Sequence, residues 1–170
     1  QRAIAADQLD TANVLNLKNG TLDLDTLTLR QHSRSDFLTY TLDYEHNENA
    51  LAPRFERFVS EVFVKEGTSA PDFELCQLFQ ELFGYSLTND TKYEAMVWLS
   101  GSGGNGKTVL IKIIQTMLGQ MACSVDFATI GQTGNYDLAD IQGKRVIFST
   151  ESEKGATASE GYIKRIVSGE

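Results

Sequence analysis

The stretch that most constrains this chain is GSGGNGKT, Gly101 to Thr108. It stands between the apolar run AMVWLS and the periodic segment KTVLIKIIQTMLG. Four glycines within six residues suit neither a helix nor a strand, because glycine gives up the most freedom when its backbone is fixed. The run before it is short, continuous and apolar, which predicts a strand buried on both faces. After it, Val109, Leu110, Ile113, Ile114, Met117 and Leu118 are apolar and Gly119 follows. That pattern predicts a helix covered over most of its surface and closed at Gly119. Strand, free loop and helix in this order point the back of the chain to an α/β fold.

The remaining back half fits the same plan. CSVDFA reads as another strand and NYDLADIQG as a short helix. KRVIFSTESE reads as a second buried strand, Val146 to Phe148, running into Glu151. Strands alternating with helices predict a parallel sheet.

The loop matches G-x-x-x-x-G-K-[ST], the phosphate-binding loop. Each part has a physical task. Gly101, Ser102, Gly103, Gly104, Asn105 and Gly106 let successive N–H groups converge on one hollow. That hollow and the helix N-terminus attract anionic phosphate. Lys107 can reach the β- and γ-phosphates of ATP, and Thr108 can place its hydroxyl on Mg²⁺. A hydrolase also needs a carboxylate at a neighbouring strand end, to hold the metal or polarise water. Glu151 is the candidate because it comes first after the apolar run. Glu153 is the alternative, on the same side of the pleat if the strand continues.

The front half has a different texture. Leu15 and Leu17, Leu22 and Leu24, and Leu27 and Leu29 alternate at period two, as in an antiparallel meander. Asn19-Gly20 marks the first hairpin turn and Asp25-Thr26 the second. Residues 31–52 show no period. Phe55, Phe58, Val59, Val62 and Phe63 then form a helical stripe opened by Pro53. Phe73, Cys76, Phe79, Leu82 and Phe83 form another, opened by Pro71 and closed by Gly84. Both stripes read as core. Ser86 to Glu94 is the candidate joint, dividing the chain into 1–90 and 91–170.

Composition narrows the function classes. The formal net charge is −8, and residues 1–100 carry all of it, with 8 Lys+Arg against 16 Asp+Glu. A domain that coats itself in nucleic acid would be basic, so any such contact must be local or supplied elsewhere. No stretch reaches the roughly 18 apolar residues of a membrane span, and the first ten residues lack a signal-peptide core. Cys76 and Cys123 fit no metal or redox spacing, which favours a reducing cytoplasm.

Several stretches resemble one family: NLKNGTLDLDT, then QLFQELFGYSLTNDTKYEAMVWLSGSGGNGKTVLIKIIQTMLG, then GKRVIFSTESE and IKRIVSGE. They look like the helicase part of phage and plasmid primases, superfamily 3 helicases related to the poxvirus primase-helicase. The likeness runs from about Asn13 to Glu170. GGNGKT after LFGYSLTND is its most diagnostic part, with Thr108 where the family usually has serine. A single Glu151 after Thr150 stands where paired acids are common. The resemblance implies an α/β protein: a small α+β front region, then the first half of a P-loop motor of the AAA+ type. It implies ATP and Mg²⁺ as cofactors. It also implies translocation on single-stranded or forked DNA by a homo-hexameric ring, with an attached primase or other replication proteins as partners, in a bacterial host cytoplasm. The family's DNA-contacting hairpin, sensor asparagine and arginine finger would follow YIKRIVSGE, so the chain is expected to be a fragment that turns ATP over poorly alone. Lys164 and Arg165 resemble a basic pair of the family, or else form a solvated helix face.

Two other readings compete. One is a nucleotide-regulated assembly or DNA-recognition module with incidental hydrolysis, its acidic front half docking other proteins. The other is a different P-loop enzyme. The guanine motif Asn-Lys-x-Asp and the transporter signature Leu-Ser-Gly-Gly-Gln are absent from the sequence, which leaves a small-molecule kinase on the loop alone.

Overall fold

A computed structural model describes residues 5, 8–126, 141–150 and 160–169. The leucine alternation of the front half produces three antiparallel strands, β1 (Val14–Leu17), β2 (Gly20–Asp23) and β3 (Thr28–Arg30), in the order β1-β2-β3. Leu15 faces Leu22 across the first pair and Leu22 faces Leu29 across the second. The alternate leucines therefore share one side of the pleat.

The first hairpin differs from expectation by one residue. Its loop is Lys18-Asn19, because Leu17 pairs with Gly20, and neither loop residue has a positive φ. Gly20 belongs to the strand. A Cβ there would lie 2.5 Å from the carbonyl oxygen of Arg30, so glycine is required by the close approach of β3 rather than by the turn. The second turn forms where expected. Asp23 Oδ1 accepts from the Asp25 and Thr26 N–H groups and from the Thr26 hydroxyl, at 3.1, 2.8 and 2.9 Å. This is an Asx turn. Leu27 falls within it at a left-handed φ of 55° and is 73% exposed, so it leaves the expected apolar face.

Residues 31–52 are irregular apart from a 3-10 turn at Arg34–Asp36. They still supply core. The chain returns beside β1, with a parallel bridge between Leu17 and Leu42, and buries Tyr40 and Leu42. The buried cluster comprises Leu15, Leu17, Leu22, Tyr40, Leu42, Leu118 and Met121.

Helix α1 (Pro53–Val62) starts with proline in its first turn, as read from the sequence. Helix α2 (Phe73–Ser86) starts later and ends later than expected. Asp72, not Pro71, caps it by accepting from Leu75 N–H at 3.2 Å, while Pro71 forms a bridge with Val64. The helix runs through Gly84. Ser86 and Thr88 hydroxyls donate to Phe83 O and Tyr85 O at 2.6 and 2.8 Å, satisfying the last carbonyls without a left-handed residue. The aromatic stripes meet, with Phe63 against Phe79 and Phe55 against Phe83 at ring separations of 5.3 and 6.1 Å, but of the two stripes only Val59 is buried, so they form a half-covered contact between two helices rather than the expected core. Phe73 stands apart, 74% exposed at the helix start. Cys76 is partly buried, its sulfur 4.0 Å from Val59 O.

Helix α3 (Lys107–Leu118) leads through Gly119, at φ 52°, to strand β4 (Ala122–Asp126). Strand β5 (Val146–Thr150) lies parallel to β4, Ala122 opposite Val146 and Asp126 opposite Thr150. A helix at Glu160–Ser168 is the last described element. Parallel pairing requires a crossover, and the stretch NYDLADIQG read as its helix lies mostly outside the described residues. AMVWLS departs from expectation. Residues 95–100 form no strand, and Met96, Val97 and Trp98 are 53%, 52% and 72% exposed. An apolar run becomes a strand only where a neighbour supplies ladder bonds, and the described parallel sheet consists of β4 and β5.

One arginine ties these pieces together. Arg145, directly before β5, donates to Val14 O at 2.7 Å, to the Tyr40 hydroxyl at 3.3 Å and to Leu87 O. Its own N–H donates to Met121 O at 2.8 Å. Burial pushes its pKa below the usual arginine value.

Candidate phosphate-binding loop

Local geometry at Gly101–Thr108 follows from the glycines. Gly104 and Gly106 take φ values of 76° and 84°, conformations that disfavour any other residue. Gly106 is the N-cap of α3. A Cβ at Gly106 would come within 2.7 Å of Val62 Cγ2 and 3.2 Å of Phe58 Cζ. The loop therefore closes directly onto α1, a contact that no sequence pattern announces.

Lys107 bends back into the loop. Its ammonium donates to Gly101 O at 2.9 Å, Ser102 O at 3.2 Å and Asn105 Oδ1 at 2.6 Å. These three bonds occupy all three protons of the group. The Asn105 amide nitrogen lies against Gly101, filling the place that a Cβ there would need. Asn105 thus bridges the loop, one end on the lysine and the other on its first glycine. The loop motif alone gives Asn105 only a backbone donor, so this side-chain role is visible in the structure and not in the sequence pattern. Around Gly103 and Gly104 the space is open.

At the start of α3 no side chain caps the first N–H groups and no acidic residue occupies the first turn. Such an end carries partial positive charge and unfilled donors. Lys107 adds a full charge beside it. Thr108 is exposed, which leaves its hydroxyl open to a ligand. These features fit a phosphate group: several donors, one cation and no carboxylate within the loop itself.

The metal side is less complete. β5 reaches Thr150, the residue before Glu151, but Glu151 and Glu153 lie outside the described residues. Among the described residues, no group of three His, Cys, Asp or Glu could hold a metal ion. Lys164 is paired with Glu160 at 2.6 Å on the Glu160–Ser168 helix, and Arg165 lies over the Tyr162 ring at 5.7 Å. Among the described residues, no helix is long and apolar enough to cross a membrane.

Comparison with known proteins adds three findings. Residues 1–64 match a family described as D5 N terminal like. Residues 99–170 match a family of unknown function, DUF5906. A protein of Invertebrate iridescent virus 3 that carries the name "Putative helicase 121R" is 32% identical over 122 residues, which is 68% of this chain and 12% of that protein. The chain thus spans about an eighth of the length of this viral relative. Together these likenesses support a D5-like primase–helicase relationship.

Proposed function

We propose that this chain carries the nucleotide-binding part of an ATP-driven DNA helicase, acting in replication of a phage, plasmid or related mobile element. The observation that carries this is Lys107 seated in the Gly101–Gly106 loop at the uncapped start of α3. Support comes also from the D5-type match of the front half and the helicase-named viral relative.

In this reading the loop N–H groups and the α3 N-terminus bind the phosphates. Lys107 exchanges its three loop acceptors for phosphate oxygens, so its charge is held in place before and after binding. Thr108 offers a hydroxyl to Mg²⁺, and Glu151 is the acid expected on the metal side. Mg²⁺ supplies charge neutralisation across the phosphates when bound. The whole protein works as a homo-hexameric ring on single-stranded or forked DNA, with a primase among its partners. Lys107→Ala in the full-length protein should abolish ATP-dependent strand displacement while leaving assembly, read by light scattering, largely intact. Displacement that persists in that variant, or that runs equally well on a non-hydrolysable analogue, would refute the proposal.

A further inference from the structure

A second polar site lies in the front half, away from the glycine loop. A hollow of about 310 Å³ is lined by Asn16, His32, Ser33, Arg34, Leu38 and Thr41. Its floor is an ordered hydrogen-bond network whose polarity can be read. Asn16 Nδ2 donates to Tyr40 O at 2.6 Å and to the Thr41 hydroxyl oxygen at 3.1 Å. A carbonyl only accepts, so this end of the amide is the NH₂ group. Asn16 Oδ1 therefore faces Thr21 and His32, at 3.1 and 2.8 Å. An amide oxygen donates nothing, so His32 Nδ1 carries a hydrogen. Thr21 is fully buried, which makes the inner end of the network dry and fixed.

The ring is thus committed at Nδ1, and Nε2 is the atom left for a ligand. Thr41 accepts from Asn16, so its own O–H is left to donate. Arg34 borders the hollow and has no carboxylate within ion-pair distance among the described residues. Its neighbour Arg30, on β3, is neutralised by Asp36 through two bonds of 2.7 and 2.9 Å. Asp10, the other acid near this end, accepts from Thr39 N–H at 2.7 Å and from the Thr39 hydroxyl. The lining therefore offers a guanidinium, the hydroxyls of Ser33 and Thr41 and an imidazole, and no carboxylate.

We propose that this hollow binds a phosphate group, held by Arg34, Thr41 and the His32 ring. Two sources share that chemistry: the backbone of a nucleic-acid strand and a small phosphorylated molecule. Asp36 is committed to Arg30 through both of its oxygens.

The test follows the His32 ring resonances by NMR in this chain, at constant ionic strength, against inorganic phosphate and against a short oligothymidylate. A saturable shift of the ring resonances is expected, and Arg34→Gln should weaken the binding tenfold or more, as for loss of a charge-assisted hydrogen bond. Lys107→Ala should leave it unchanged, which separates this site from the glycine loop. A shift with the oligonucleotide at far lower concentration than with phosphate assigns the site to a strand backbone. Comparable or tighter binding of inorganic phosphate assigns it to a small molecule. No saturable shift with either, or an equal shift in Arg34→Gln, overturns the proposal.

Discussion

Arg145 offers the sharpest test of how the two halves of the chain hold together. In Arg145→Ala the guanidinium disappears from between Val14 O, the Tyr40 hydroxyl and Leu87 O. The three acceptors do not suffer equally. Val14 O keeps the Tyr40 hydroxyl, which donates to it at 2.8 Å, whereas Leu87 O loses its side-chain donor. A hydrogen bond from a charged group contributes roughly 1.5–3 kcal/mol. Burial of the guanidinium, the first cause of its lowered pKa, offsets part of that. The balance is a loss of about 2–3 kcal/mol, including the packing of the aliphatic stem. With a urea m-value of about 2 kcal/mol/M for a chain of this size, the midpoint should fall by about 1 M at unchanged m. Arg145→Met, which keeps the stem, should lose less. Tyr40→Phe should cost more in the Arg145→Ala background than alone, because Val14 O then loses both donors. An Arg145→Ala midpoint within about 0.2 M of the parent would show that these bonds merely replace water, and the reasoning would fail.

Three further outcomes are expected. Gly106→Ala forces a left-handed residue, at about 1–2 kcal/mol, and adds a Cβ 2.7 Å from Val62 Cγ2; calorimetry should show a clear loss of stability, and a Tm equal to the parent's would contradict the contact with α1. Asn105→Ala frees one of the three bonds on Lys107 and should tighten binding of a fluorescent ATP analogue several-fold, whereas weaker binding would mean that Asn105 serves the nucleotide rather than the empty loop. The Asp36 carboxyl is held below its usual range first by the hydrogen bond from Arg30. A depressed folded pKa gives stability that is full above the unfolded value, about 3.9, and is lost as pH falls through the folded one. The stability gap between parent and Asp36→Asn should therefore be constant from neutral pH to about 5 and shrink below about 4 in acid titrations; a gap independent of pH would exclude the bridge.

Where sequence spoke clearly, it spoke through period. The leucine alternation placed Leu15 and Leu22 on one face because a strand turns its side chains by half a revolution each step. The stripe after Gly106 likewise located α3. Turns were harder: Asn19-Gly20 signals a hairpin, but Gly20 is needed by the close approach of Arg30 at the end of the neighbouring strand β3, a tertiary fact. Gly84 looked like a stop, yet Ser86 and Thr88 end the helix with hydroxyl bonds instead. AMVWLS shows the limit of an apolar run, since strand formation depends on a neighbouring edge that the run itself cannot specify. At the site, Lys107 and the glycines were legible because chemistry demands them at that spacing. Arg145 was not, since an arginine before an apolar strand reads as an ordinary flank. Nor was the hollow at His32, because residues 31–52 carry no period at all.

The position of the glycine loop is set by the front half, and this can be tested at a distance. α3 is held at both ends by residues from before position 65. At its start, Gly106 lies on Phe58 and Val62. At its end, Leu118 is fully buried in the cluster with Leu17 and Leu42, and the Tyr44 hydroxyl donates to Met117 O at 3.0 Å. Leu42 itself is nearly buried, at 3% exposure. Leu42→Ala should therefore cost about 2–5 kcal/mol, the range for a buried leucine, although Leu42 touches neither the loop nor its ligand groups. The cost should appear equally in both halves. Native-state hydrogen exchange should show the slow amides of Leu15 and Leu22 and those of Leu110 and Leu118 losing protection together. If β1 and β2 lose protection while α3 keeps its own, the helix behind the loop is stabilised from elsewhere. The front half would then be a neighbour of the phosphate-binding loop rather than its support.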